Sequence, residues 1–434
     1  MGGFTSRTHQ SRAAAVRFKL PFARLSRRLA SGGDEERNLN IPNTGRVLLS
    51  LTLLWLAGAG LRLTVLAVPP VLPAIHAELN LSETQVGILT GLPSLLFALA
   101  AVPGSLLIAR LGPVTALAIG LLLDGLASGL RGAAADALWL YGATIMMGAG
   151  IAIAQPAMPP VVRAWLPDRI GFATAVYTNG FLIGATAAAA LSLPFVLPLV
   201  GGSWRLGFAA WGVPVVVTAV LVPLLAPRSP QASASGTTSI PRWWPDWRSP
   251  LLWRLGILFG SNNSTYFSTN AFLSDYLHAH GATDLIGPAL TALNVGQIPV
   301  SFALIAAAGR LQNRLWPYVV SGFGVLAGLG MIVVGSGAGI IIGAALIGLS
   351  LTLTFVLILA LPPVLSAPGD VHRLAAGMFT ISYSTAVLVP AVSGLLWDWT
   401  GVPAAAFAPI AVCALLIAVL APGLPTGAGG RQPG

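Results

Sequence analysis

Long apolar runs, interrupted at short intervals by Gly, Pro and polar residues, fill the chain from residue 47 onward. About 20 predominantly apolar residues are needed for a helix to cross the hydrocarbon of a bilayer. Measured against that length, the pattern predicts twelve spans, at 47–73, 84–108, 113–133, 137–161, 171–199, 206–226, 252–277, 285–308, 315–335, 337–364, 375–397 and 402–423. The ninth and tenth are parted only by Gly335, Ser336 and Gly337. The reading is therefore an all-α membrane protein.

Composition agrees. Hydrophobic residues make up 55% of the 434, charged residues 8%, and the mean hydropathy is +0.82. A soluble domain carries about 25% charged residues, so a bilayer must be the solvent for most of this chain and a soluble enzyme is excluded. One cysteine, Cys413, rules out a disulfide within the chain and reads as packing.

The formal charge of +10 would suggest nucleic acid in a soluble protein. Its distribution points to topology instead. With twelve spans and both termini inside, 20 of the 23 Lys and Arg residues fall on the inner side, Arg131 and Arg205 fall outside, and Arg62 lies within a span. That bias is what the positive-inside rule demands. Residues 1–46 hold nine basic residues and three acids with no signal-peptide core, and read as a cytoplasmic tail facing anionic lipid. Lys19 is the single lysine in an Ala-, Gly- and Arg-rich chain, which suits a GC-rich bacterial genome and an inner membrane.

The polar connection 227–250, rich in Ser and Pro, divides the spans into bundles at 47–226 and 251–423, with a C-terminal tail at 424–434. Its Trp243, Trp244 and Trp247 beside Arg242 and Arg248 suit the headgroup level. The halves echo each other. Gly87 and Gly287 each precede an Arg-Leu pair by 23 residues, AMPPVV at 157–162 returns as ALPPVL at 360–365, and TAVY at 174–177 returns as TISY at 380–383. Three echoes in order indicate a duplication, which places a solute path between two six-helix halves.

Two such halves, a long central loop and a basic RxG turn between the second and third spans resemble the major facilitator superfamily. Within it the sequence is similar to the cyanate and 2-nitroimidazole permeases. The residues that carry this are LRLTVLAVPPVLPAI (61–75), VGILTGLPSLLFAL (86–99), GLASGLRG (125–132), the run 148–180, SWRLGFAAW (203–211) and, more weakly, FGSNNSTYFSTNAFLSDYL (259–277). The resemblance implies a monomeric secondary transporter that moves a small solute by alternating access, with protons as the default coupling ion. In the turn GSLLIARLG, Arg110 and Gly112 match the gating motif, but Ala109 replaces its acid. The antiporter motif of the fifth span keeps only Gly171, Gly180 and Gly184, which speaks for close packing more than for antiport.

Arg62 is the sharpest candidate. A guanidinium at mid-membrane costs about 2.5–3.5 kcal/mol and persists only against a cavity or a partner. It reads as a fixed cation that recruits a small anion, the alternative being a structural pair with Asp124. Pro69, Pro70 and Pro73 should break the first span beyond its centre. Gln155 beside Pro156, Tyr177 and Asn179, the helical face Asn263, Tyr266 and Asn270, then Asn294, Gln297 and Tyr383 complete the candidate binding set. Each has a bland alternative as helix–helix glue. Asp124 is the coupling candidate, its alternative a pair with Arg131.

No catalytic residue, metal site or cofactor is expected, and no nucleotide-binding motif is present. A drug-efflux pump for amphipathic cations is the second reading, disfavoured because Arg62 repels cations. A membrane-embedded enzyme or sensor is the third, disfavoured by short loops without paired catalytic residues.

Overall fold

A computed structural model describes residues 44–81, 83–227 and 242–420. Most of the N-terminal tail, the middle of the central loop and the C-terminal tail lie outside the described residues. The helices belong to one compact unit, Gly45–Gly434.

The chain runs through α1 (Thr44–Leu66), α2 (Val68–Leu79), α3 (Glu83–Leu111), α4 (Pro113–Gly132), α5 (Ala137–Trp165), α6 (Ile170–Leu191) and α7 (Trp204–Leu225). The second half holds α8 (Pro250–Ala279), α9 (Ile286–Val295), α10 (Gln297–Leu311), α11 (Trp316–Val334), α12 (Ala338–Leu365), α13 (Val371–Thr400) and α14 (Ala408–Leu420). Among the described residues, eleven helical stretches are long and apolar enough to cross a membrane. The twelfth is α8, long enough at 30 residues but made more polar by its run from Ser261 to Thr265. Across the described residues the fold is thus all-helical, with twelve membrane helices in two pseudo-symmetric bundles.

Local chemistry sets the boundaries. Gly112 takes φ +83°, a conformation open to glycine, and Pro113 then starts α4. Asp136 caps α5 by accepting from the Trp139 amide at 2.8 Å. The first span breaks at Ala67, where Pro69 and Pro70 cannot donate to the carbonyls of Val65 and Leu66. The eighth span, expected to be continuous, breaks at Gly296, three residues before Pro299. Near its end the fifth span passes through a π-helical turn, Ser192–Val196, which contains Pro194.

Within the first bundle α4 packs on α5 and α7, and in the second α11 packs on α12 and α14. The bundles meet through α3 against α13 and α6 against α10. At the end bearing most of the arginines, hereafter the basic end, they are tied together. There Arg163 of α5 donates through Nη1 to the carbonyls of Pro363, at 2.5 Å, and Ser366 at the end of α12. The tryptophan segment crosses the same end. Ser105 of α3 donates to the Trp243 carbonyl and Arg373 of α13 to the Trp244 carbonyl, each at 2.8 Å. His372 is buried on the first turn of α13 with Nε2 3.2 Å from the Arg242 carbonyl.

At the opposite end α2 packs on α7 and α9 on α8, α10 and α12, each within its own bundle. Glu78 belongs to α2. It accepts from Trp204 Nε1 at 2.5 Å and pairs with Arg205 at 2.9 Å. Those two donors hold its carboxyl below the usual range.

Candidate functional site

Between the bundles, from mid-depth toward the opposite end, lies a cavity of about 360 Å³. The break at Ala67 shapes one wall: Arg62, Val65, Leu66, Val68 and Pro69 all line it. Arg62 is carried by α1, five residues before the break. Its Nη2 lies 3.5 Å from the hydroxyl of Tyr383 on α13, and its guanidinium lies over the Phe181 ring, 5.5 Å from the centroid. Gln155 of α5 donates to the same hydroxyl at 3.0 Å. Arg62, Tyr383 and Gln155 thus form one hydrogen-bonded group joining the two bundles at the cavity floor.

The second bundle supplies a wall of uncharged polar groups. Asn263, Tyr266, Asn270 and Gln297 line the cavity, together with Asn262. Tyr266 donates to Asn294 Oδ1 at 2.7 Å, and Asn294 donates in turn to Asn270 Oδ1 at 3.1 Å. Asn263 donates to Ser382 at 2.8 Å, and Gln297 accepts from Thr352 at 3.2 Å. Each amide is therefore held by a second residue, which fixes the groups offered to a solute.

Five expected residues, Arg62, Asn263, Tyr266, Asn270 and Gln297, line the cavity. Tyr383 and Asn294 stand one hydrogen bond behind it, and Gln155 stands two behind it, through Tyr383. The structure does not bring Tyr177 and Asn179 to it. Tyr177 is buried with its ring against Phe181, centroids 5.4 Å apart. Asn179 accepts from Trp55 Nε1 and donates to Ser301, each at 2.9 Å, and so joins α6 to α10. Arg110 and Gly112 lie at the basic end, and Arg110 makes no ion pair among the described residues.

Asp124 does not pair with Arg62. It is buried on α4 and accepts from Thr64 Oγ1 at 2.7 Å. Arg131 lies in the last turn of α4, at the end opposite the basic one, and folds back into the protein. Its side chain is fully buried, lies over the Phe208 ring at 4.4 Å, donates to the Thr64 carbonyl at 2.7 Å and reaches the cavity wall. The phenylalanines of the wall, Phe97, Phe181, Phe267 and Phe355, were also not singled out. In a chain so rich in apolar residues they carry no distinguishing signal. Two arginines and no carboxylate line the space, so it is electropositive. Among the described residues no cluster of His, Cys, Asp and Glu is arranged to hold a metal.

The family model of the Major Facilitator Superfamily matches residues 54–386. The 2-nitroimidazole transporter of Escherichia coli (strain K12) is 26% identical over 403 residues, covering 88% of this chain and 96% of its own. The cyanate transport protein CynX of the same organism is 26% identical over 265 residues, 61% of this chain and 67% of its own. Among solved structures, the transporter FucP in the outward conformation superposes with a TM-score of 0.69 at 16% identity, over 86% of this chain and 98% of its own, which speaks to the shared fold. Twelve helices in two bundles among the described residues, a cavity between them and a match across most of the chain lead to one conclusion: the protein belongs to the Major Facilitator Superfamily of membrane transporters.

Proposed function

We propose that the protein is a secondary transporter that moves a small anionic solute through the cavity by alternating access. The observation that carries this is Arg62. It is a permanent charge at mid-depth, facing an electropositive cavity, with no ion pair among the described residues. Keeping it there is costly unless a ligand or water compensates it. The relatives named for cyanate and 2-nitroimidazole supply the substrate classes to try first. With most arginines at the basic end, the positive-inside rule puts that end and both termini in the cytoplasm of a bacterial cell. The cavity then faces outward.

Uptake into proteoliposomes tests the reading. Arg62→Gln is expected to lower anion uptake at least tenfold while the protein inserts and purifies as before. Retained uptake by the folded variant overturns the anion site. An imposed pH gradient in the same assay tests protons as the driving ion, with acceleration expected when the anion-loading side is acidic.

A further inference from the structure

The cavity is far too large, and too apolar, for a three-atom anion. At roughly 30 Å³ per water molecule, 360 Å³ has room for about a dozen. An inorganic anion there would leave most of the space to water, and the apolar wall would contribute nothing to affinity. Ligand sites gain most of their binding from burial of an apolar body, while a few polar groups set its orientation. Here the apolar wall includes aromatic side chains from both bundles. Phe181 and Phe355 are 6.3 Å apart, centroid to centroid, in an edge-to-face pair, and Phe181 also lies against the Arg62 guanidinium. An aromatic solute could place its ring against these edges while its charged end meets Arg62.

The charge count defines the other end. Of the two arginines in the wall, Arg131 has an acid, Asp124, on its own helix, close enough to act on it electrostatically though not in an ion pair. It and Asp124 are seven residues apart on α4, and both end on Thr64, one at the carbonyl and one at Oγ1, each at 2.7 Å. Arg131 also spends its guanidinium face on Phe208. That leaves Arg62 as one uncompensated positive charge, which calls for one negative charge. Resting on the reading of the cavity as an anion site, we infer that the preferred solute is an aromatic monocarboxylate of roughly a dozen non-hydrogen atoms or fewer. Its carboxylate meets Arg62 and its ring the Phe181–Phe355 edge. The amides of α8 and Gln297 hydrogen-bond whatever polar substituent the ring carries.

Direct binding to the purified full-length protein, followed by uptake in proteoliposomes, tests this with cyanate, benzoate, the neutral isostere benzamide and the dianion phthalate. Benzoate is expected to bind at least tenfold more tightly than each of the other three. Phe355→Leu and Phe355→Ala should weaken benzoate progressively, to about tenfold for Ala, and leave cyanate unchanged. Arg62→Gln should abolish the preference for benzoate over benzamide, and Arg62→Lys should restore part of it. Cyanate binding as tightly as benzoate, with both lost in Arg62→Gln, overturns the aromatic inference and leaves the anion site standing. Phthalate equal to benzoate overturns the single-charge argument. Binding of benzamide or 2-nitroimidazole that ignores Arg62, with no anion bound, overturns both readings.

Discussion

Asp124 and Arg131 show how two charges can persist inside a membrane protein without touching. Thr64 stands between them, its hydroxyl on the acid and its carbonyl on the base, so both ions are held at the point where the first span approaches its break. Removing one member of a buried pair strands the other, at about 3–5 kcal/mol, whereas removing both is far milder. Asp124→Asn and Arg131→Met are each expected to lower the melting temperature in detergent markedly, and the double variant to recover most of the loss. Simple addition of the two losses would show that the charges do not compensate one another. These two residues also mark the limit of reading single positions. The mid-span depth of Arg62 follows from counting apolar neighbours. Arg131 lies in the last turn of its helix, from which a long side chain can reach water or fold back into the protein. Only the presence of Phe208 and Thr64 from other helices decides between them. Asn179 was obscure for a similar reason: spacing says which residues share a helical face, but not which neighbour that face meets.

At the scale of elements, the number and order of the helices were legible because apolar length is a nearly complete description of a membrane span. Breaks were legible only where proline was dense. Pro69 and Pro70 announced the bend in the first span, while Gly296 with a single Pro299 did not separate itself from ordinary span composition. The small residues of α6 carried a readable meaning, close packing, and the structure gives it a partner. A Cβ on Gly180 would collide with the carbonyl oxygen of Trp55, and one on Gly184 would meet the Ala59 Cα at 2.8 Å, so α1 and α6 approach backbone to backbone. Gly180→Ala must separate them. The expected cost is on the order of 1–3 kcal/mol, as for other overpacked interiors, seen as a lower melting temperature. Because the same helix carries Arg62, anion affinity should fall in parallel. A variant as stable as the parent would show that α1 can retreat without penalty.

For the molecule as a whole, the sequence offers two halves and their orientation but is silent on which end of the path stands open, since that depends on contacts between halves. In the structure those contacts concentrate at the basic end, and among the described residues Arg163 is the one side chain there that bonds two carbonyls of the other bundle. Charged hydrogen bonds contribute about 1.5–3 kcal/mol each, enough to shift an equilibrium between two conformations by tenfold or more. Arg163→Gln should therefore release the closed end and populate the conformation open to the cytoplasm. The chain offers a clean way to see this, because its single cysteine, Cys413, is buried and can be replaced by Ser. In that background Ser94→Cys places a thiol in the cavity wall. In intact cells a membrane-impermeant maleimide is expected to label it rapidly from outside, and Arg163→Gln to slow that labelling several-fold. In inside-out vesicles the same substitution should speed labelling, since alternating access would expose the same cavity to either side in turn. Labelling from outside that is indifferent to Arg163 would mean that the contact is incidental to gating. Rapid labelling of the parent only in inside-out vesicles would reverse the orientation drawn from the arginines.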